Sequence, residues 1–283
     1  MNYLYDFHMH TKHSDGVATV AEMCAESYRR GMKRIGFTDH AYEIRPDGTE
    51  PFGIKGAELD AYIDDVYEQK EIYRGKMEIL CGFELENQSG FDYITKAQAK
   101  KFDYTIGSTH SMIKNGEGFE LDYGEDRFTR LVRDHFDGDY LKLARDYYEY
   151  ESHVVERTHC QIIGHFDLIT KYNQGKKLYD DDAPEYKEAA LSCMEKLLKE
   201  DVLFEINTGA MARGNRKEPY PSRFLLEELC KRGGRITLNS DSHSTENICF
   251  AFEDALKLAW ECGFRQIYTV KKDGFEELNI ADI

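Results

Sequence analysis

The sequence predicts an α/β fold, read from its elements as either a βα-repeat barrel or an open doubly wound sheet. Three observations carry that expectation. Short apolar runs recur along the chain with helical segments between several of them, and the 283 residues match the usual size of one closed α/β barrel. Histidines and acids, finally, stand just after those apolar runs.

The runs at residues 4–7, 35–37, 79–83, 104–106, 162–163, 203–206 and 236–238 are rich in β-branched or aromatic residues and read as seven buried parallel strands. The first helix opens on Thr19 and Glu22, spaced as a capping box ahead of an amphipathic stretch that ends at Gly31. Further helices are expected over 58–74, 139–157, 183–200, 222–232 and 244–262. Two connections exceed what the fold needs: 41–56, with Pro46, Gly48, Pro51, Gly53 and Gly56, and 111–138, with Gly116, Gly118 and Gly124. Such long loops serve as lids or binding loops, or simply as surface. With no repeat, low-complexity segment or linker, residues 1–283 are expected to form one domain.

Composition narrows the function classes. A content of 41% hydrophobic and 13% aromatic residues is enough for a full core. No run of about eighteen apolar residues occurs, nor a secretory-type leader, so a soluble, cytoplasmic protein is expected. Seven cysteines, an odd number without any CxxC pair, read as reduced core residues. The net charge of −16 repels polyanions, which favours a small substrate over nucleic acid.

The chemistry lies in where the histidines and acids fall. His8 and His10 follow the first strand as HMH, with Asp15 in the same loop, and His40 ends IGFTDH after the second. Glu84 closes CGFE, His110 closes GSTH, His165 follows the fifth strand in IIGHFD, and Asp241 and His243 follow the seventh in LNSDSH. In a βα barrel the strand C-termini converge on one face, so residues two hundred positions apart can meet there. Imidazole and carboxylate together suit Zn, Mn or Fe, and nine ligands suit two or three ions rather than one. A lone HxH carries little weight; the whole set carries much more. His13, His135, His153 and His159 lack the strand-end placement and read as ordinary residues. Asp6, Asp39 and Asp167 flank the set, either orienting imidazoles or acting as plain hydrogen-bond acceptors.

Taken together, HMHTKHSDG, TDH, GFE, STH, GHFD and SDSH resemble the PHP superfamily, the polymerase and histidinol phosphatase group of metal-dependent phosphoesterases. The resemblance runs from Asp6 to about His243. It implies a distorted, TIM-barrel-like (β/α)7 barrel holding up to three divalent transition-metal ions. Carried over by motif, His8, His10, Glu84 and Asp241 hold one ion, Glu84 bridges to a second held by His110 and His165, and Asp15, His40 and His243 hold the third. Some relatives carry histidine where this chain has Asp15. Length and the segment from 111 to 157, with DYYEYE, look most like the stand-alone histidinol-phosphate phosphatases of histidine biosynthesis.

The resemblance implies hydrolysis of a small phosphomonoester by a metal-bound hydroxide attacking phosphorus in line. Six neutral imidazoles and three carboxylates around three divalent ions leave a formal charge of about +3, which attracts a phosphate dianion despite the acidic exterior. Lys171 in DLITKY and Arg213 in EINTGAMARG are the expected phosphate-binding cations, with Arg216 and Arg45 behind them. For a histidinol leaving group, Glu43, Tyr42, Phe52, Glu117 and Phe119 on the long loops are available. Two other readings stay open: a phosphoesterase acting on nucleotides or short oligonucleotides, and a barrel whose metals are structural rather than catalytic.

Overall fold

The computed structural model describes residues 3–43, 53–272 and 274–283. Strands β1 (Tyr5–Asp6), β2 (Arg34–Phe37) and β3 (Glu78–Cys81) pair in parallel in that order. A second parallel set follows the order β10-β9-β8-β5-β4, made of β4 (Glu84–Glu86), β5 (Ile106–Ser108), β8 (Ile162–Ile163), β9 (Leu203–Asn207) and β10 (Ile236–Asn239). Only Gly82 and Phe83 separate β3 from β4, so the two sets share one bent stave. A parallel bridge between Met9 and Ser242 joins the remaining edges, where the His10 N–H donates to Ser242 O (2.8 Å) and the Ser242 N–H to His8 O (3.1 Å). The fold is a distorted (β/α)7 barrel.

Its interior shows why particular small residues sit where they do. The Tyr104 hydroxyl donates to Phe7 O (2.6 Å). The side chain lies so close over Gly36 and Gly82 that a Cβ at Gly36 would fall 2.1 Å from its hydroxyl oxygen and one at Gly82 2.5 Å from its ring. Any larger residue at those two positions would collide with the ring.

Helices α1 (Val20–Arg29), α2 (Gly56–Ile72), α3 (Lys96–Ala99), α4 (Glu125–His135), α5 (Tyr140–Glu151), α6 (Val154–Thr158), α7 (Pro184–Leu197), α8 (Gly209–Ala212), α9 (Arg223–Lys231) and α10 (Phe252–Glu261) fill the connections. The Thr19–Glu22 capping box starts α1 as expected, and α7 carries Pro184 in its first turn. The apolar core has a larger body, which includes Tyr147, Tyr148 and Phe204, and a smaller one with Met23, Tyr62 and Phe83. No helix among the described residues is long and apolar enough to cross a membrane.

Several expected boundaries move. The fourth strand lies at 106–108 rather than 104–106, because Tyr104 turns inward to Phe7. The helix expected over 139–157 is split between α5 and α6 at Ser152 and His153. The one expected over 244–262 begins only at Phe252, since Cys249 and Ala251 adopt left-handed φ values of 57° and 54° that a helix cannot accommodate. The connection at 111–138 contains a hairpin, β6 (Ser111–Lys114) with β7 (Glu117–Glu120), and then α4. A second hairpin, β11 (Gln266–Lys271) with β12 (Gly274–Asn279), was not expected. In the connection 41–56, Pro46, Gly48 and Pro51 lie outside the described residues, as do Arg45 and Phe52.

Candidate metal centre and its cavity

All nine strand-end residues arrive at one mouth of the barrel. Glu84 stands at the middle, with its two oxygens facing different neighbours. Its Oε2 lies 2.9 Å from His40 Nδ1, 3.4 Å from His8 Nε2 and 3.5 Å from His10 Nε2. Its Oε1 lies 3.2 Å from His165 Nε2 and 3.6 Å from His110 Nε2, and accepts from Ser108 Oγ (2.6 Å). Asp241 Oδ1 is 3.3 Å from His10 Nε2, while Asp15 lies 3.2 Å from His243 Nε2 and 3.7 Å from His40 Nε2.

These contacts give three overlapping groups able to hold a cation: His8, His10 and Glu84; His40, Glu84 and His110; and His10, Asp15, His40 and His243. They share members with the sets carried over by motif but do not coincide with them. His10, whose Nδ1 is 3.9 Å from Asp15, joins two groups, and His40 reaches Glu84 as well as Asp15.

Local chain geometry aims these side chains. Asp241 sits at φ 49°, a left-handed turn that aspartate tolerates. Gly209 leaves the space beside it: a Cβ there would meet Asp241 Oδ2 at 2.7 Å and an Arg213 nitrogen at 2.9 Å. Asp39 anchors the loop after β1, accepting from the Thr11 N–H (2.8 Å) and from Ser14 Oγ (2.6 Å). Asp6 accepts from the Ser240 N–H (3.1 Å) and Asp167 from the Ser222 N–H (3.0 Å).

These three aspartates therefore hold loops rather than imidazoles. Two acids outside the nine, which the strand-end pattern missed, touch the clustered imidazoles instead. Glu205 Oε1 lies 2.7 Å from His8 Nδ1, and Glu86 Oε1 contacts His110 Nδ1. Both carried a signal. Glu205 is a charge inside the apolar strand LFEIN, and Glu86 stands two residues after Glu84, on the same side of its strand.

The residues fit divalent cations on an observation independent of motif. His8 Nε2, both nitrogens of His10 and Glu84 Oε2 are buried without a hydrogen-bond partner. Buried polar atoms are almost always paired, so a cluster of orphans converging on one spot is a place for ions. The electrostatics agree. Burial, helped by His243 and His40, pushes the His10 imidazole down to about 3. Burial alone would raise the Glu84 and Asp241 carboxyls, but His40 and His8 hold the first, and Arg213 and His8 the second, well below the usual carboxylate range. The same charges act both ways: against the effect of burial, the acids push the imidazoles of His8 and His40 up, His40 to about 10, so that a bound cation would take the place of those protons.

Above the cluster opens a cavity of about 270 Å³, with Asp15, His40, His110, Asp241 and His243 exposed at its floor. Lys171 and Arg213 both line it. Lys171 Nζ donates to Asp122 Oδ2 (3.1 Å), and Arg213 donates to Asp241 Oδ2 (2.9 Å) and Asp241 O (3.2 Å). Arg216 is placed elsewhere, tied to Thr170 and Pro219 with its guanidinium 4.6 Å from the Tyr220 ring centre.

Of the leaving-group candidates among the described residues, which leave out Phe52, Glu43 alone lines the cavity, joined by Glu86, Glu120, Asp122 and Tyr123, which were not singled out. Phe119 is buried against Phe136 and His135, Glu117 lies on the exposed hairpin beside His135, and Tyr42 stacks edge-on with Tyr93. His13 and His153 pair with Asp65 and Glu156 at 2.8 and 2.9 Å, away from the cluster.

Comparison with known proteins agrees with this geometry. The PHP domain model matches residues 6–209. The chain is 25% identical to the histidinol-phosphatase of Bacillus subtilis, covering 89% of this chain and 98% of that one. It is 26% identical to a protein of Deinococcus radiodurans named "Probable histidinol-phosphatase", covering 94% and 96%. In fold it is similar, with a TM-score of 0.73 and 22% identity over 97% of this chain and 99% of the other, to the histidinol phosphate phosphatase of Lactococcus lactis complexed with Zn, L-histidinol and phosphate. The barrel, the strand-end cluster and the extent of the match lead to one conclusion: this chain belongs to the PHP domain family.

Proposed function

We propose that the protein is a metal-dependent phosphomonoesterase that hydrolyses L-histidinol phosphate to L-histidinol and phosphate, a step of histidine biosynthesis, and that residues 1–283 act as one catalytic unit. The observation that carries this reading is the convergence of six imidazoles and three carboxylates beneath a small cavity whose wall supplies Arg213 and Lys171. The relatives named as histidinol-phosphatases, matched over nearly their whole length, support the same substrate. Seven free cysteines are in keeping with a cytoplasmic, reducing setting.

In this reading His8, His10, Asp15, His40, Glu84, His110, His165, Asp241 and His243 hold two or three divalent ions, Zn, Mn or Fe. Such ions supply Lewis acidity toward the phosphoryl oxygens and activation of the attacking water. The chain does the rest. Glu205 keeps the proton of His8 on Nδ1 and so leaves the Nε2 lone pair free on the side of Glu84. Glu86 does the same for His110. Arg213 and Lys171 bind the phosphate oxygens, a guanidinium being suited to two at once. Water adds to phosphorus as the ester P–O bond breaks, and the alcohol leaves with a proton.

A cavity of about 270 Å³ suits a compact ester rather than a polynucleotide. The test is a panel of L-histidinol phosphate, nucleoside monophosphates and short oligonucleotides, together with elemental analysis of untagged protein. We expect histidinol phosphate to have the highest kcat/KM and at least one equivalent of metal to be bound. A nucleotide preferred by about two orders of magnitude, some 2.7 kcal/mol of transition-state binding, overturns the substrate assignment. Full activity in Asp241→Ala or His165→Ala with reduced metal content overturns the catalytic role of the ions.

A further inference from the structure

The cavity wall carries both signs of charge. Arg213 and Lys171 line it beside Asp241 and Asp122, and Glu43, from the segment after β2, lines it too and reaches the start of the β6–β7 hairpin. Glu43 is only 6% exposed. Its Oε2 lies 3.1 Å from Ser111 Oγ, and among the described residues Oε1 has no hydrogen-bond partner.

Ser111 cannot satisfy its neighbours. Its single hydroxyl proton is approached by Gln88 Oε1 at 2.7 Å, Glu43 Oε2 at 3.1 Å and Glu86 Oε2 at 3.5 Å. Among the described residues no lysine or arginine forms an ion pair with Glu43 or Glu86. Glu86 also accepts from the Nδ1 and backbone N–H of His110, whereas Ser111 Oγ is the one hydrogen-bond donor to Glu43 among the described residues, so Glu43 is a buried carboxyl without a fixed cation, an arrangement that a bound cation relieves.

We propose that Glu43 is the specificity-determining residue for the alcohol half of the substrate, receiving a protonated nitrogen so that the site selects phosphomonoesters with cationic leaving groups. This rests on the phosphomonoesterase reading above and adds to it the residue that discriminates. Asp122 is the less suitable partner, because Lys171 already neutralises it, and Glu120 is engaged by Arg127 at 3.4 Å. Among the described residues Glu43 has no such cation, and an ammonium or imidazolium against its carboxylate completes the pairing that they leave open.

The experiment compares kcat/KM for L-histidinol phosphate with that for propyl phosphate, whose alcohol half carries no charge, in wild type and in Glu43→Gln. The metal content of each protein is measured alongside. In the wild type the cationic ester is preferred. In Glu43→Gln the ratio of the two kcat/KM values falls at least tenfold, mainly through KM for histidinol phosphate, with metal content retained. Glu43→Asp, which keeps the charge on a shorter arm, recovers part of the ratio and serves as the second variant should the amide fold poorly. An unchanged ratio, or an equal loss on both esters, overturns the assignment of Glu43 while leaving phosphomonoesterase activity intact. A wild type that hydrolyses neither ester overturns the underlying reading and the proposal with it.

Discussion

Replacing Glu205 with glutamine removes one negative charge and turns one of two acceptor oxygens into a donor. Oε1 receives His8 Nδ1 (2.7 Å) and Asn239 Nδ2 (2.9 Å); Oε2 receives the His165 N–H (3.0 Å) and Asn207 Nδ2 (2.9 Å). Whichever way the new amide turns, its NH2 faces two donors. The asparagines cannot invert to help, since Asn207 Oδ1 accepts from the Gly209 N–H and Asn239 Oδ1 from the Phe7 N–H, each at 2.9 Å.

Leaving two buried donors unpaired costs about 1–3 kcal/mol each. The cheapest escape is for His8 to move its proton from Nδ1 to Nε2, the nitrogen that faces Glu84 and Asp241. That tautomer cannot bind a metal, so ion affinity should fall about 10–100-fold, or roughly 1.4–2.8 kcal/mol. The assay is titration of metal-stripped protein with Zn or Mn against a competing chelator. Activity should return in large part at saturating metal, because no ligand has been removed. Wild-type affinity and metal content in Glu205→Gln would refute the claim that this carboxylate sets the His8 tautomer.

Two further outcomes are expected. Arg213→Lys keeps the charge but loses the planar pair of donors, so inhibition by inorganic phosphate should weaken about tenfold or more, as for a charged hydrogen bond of about 1.5–3 kcal/mol; an unchanged phosphate inhibition constant argues against the assignment. Glu151 is buried, its Oε1 has no partner, and burial raises its carboxyl well above the usual value of 4.5. The folded protein therefore holds a proton that the unfolded chain releases above 4.5, so stability falls as pH rises from there toward the folded value. Glu151→Gln removes that dependence, so its unfolding free energy should gain on the wild type progressively as pH rises above about 5, by up to about 1.4 kcal/mol per pH unit, which is read as a widening difference in Tm. Curves that run parallel across this range contradict the assignment.

Seven apolar runs, six of them followed by histidines or acids, made the barrel and its metal chemistry legible in the sequence, because both follow from alternation and from the convergence of parallel strands on one face. Chain order could not show pairing at a distance. Glu205 and Glu86 act through imidazoles 197 and 24 residues away, and only the closed barrel brings them into contact. Conversely Asp6, Asp39 and Asp167 neighbour the ligands in sequence, yet they face loop backbone. Local rules also ran one helix over 139–157, through the break at Ser152 and His153, and carried the last long helix back to Ser244. Left-handed residues at Cys249 and Ala251 leave no periodic trace. The sequence by itself determined the kind of chemistry, through which residue types follow which strands. Only the tertiary structure decided which carboxylate steadies which imidazole, and which of the loop acids looks into the cavity, since those depend on side-chain direction across elements that chain order does not connect.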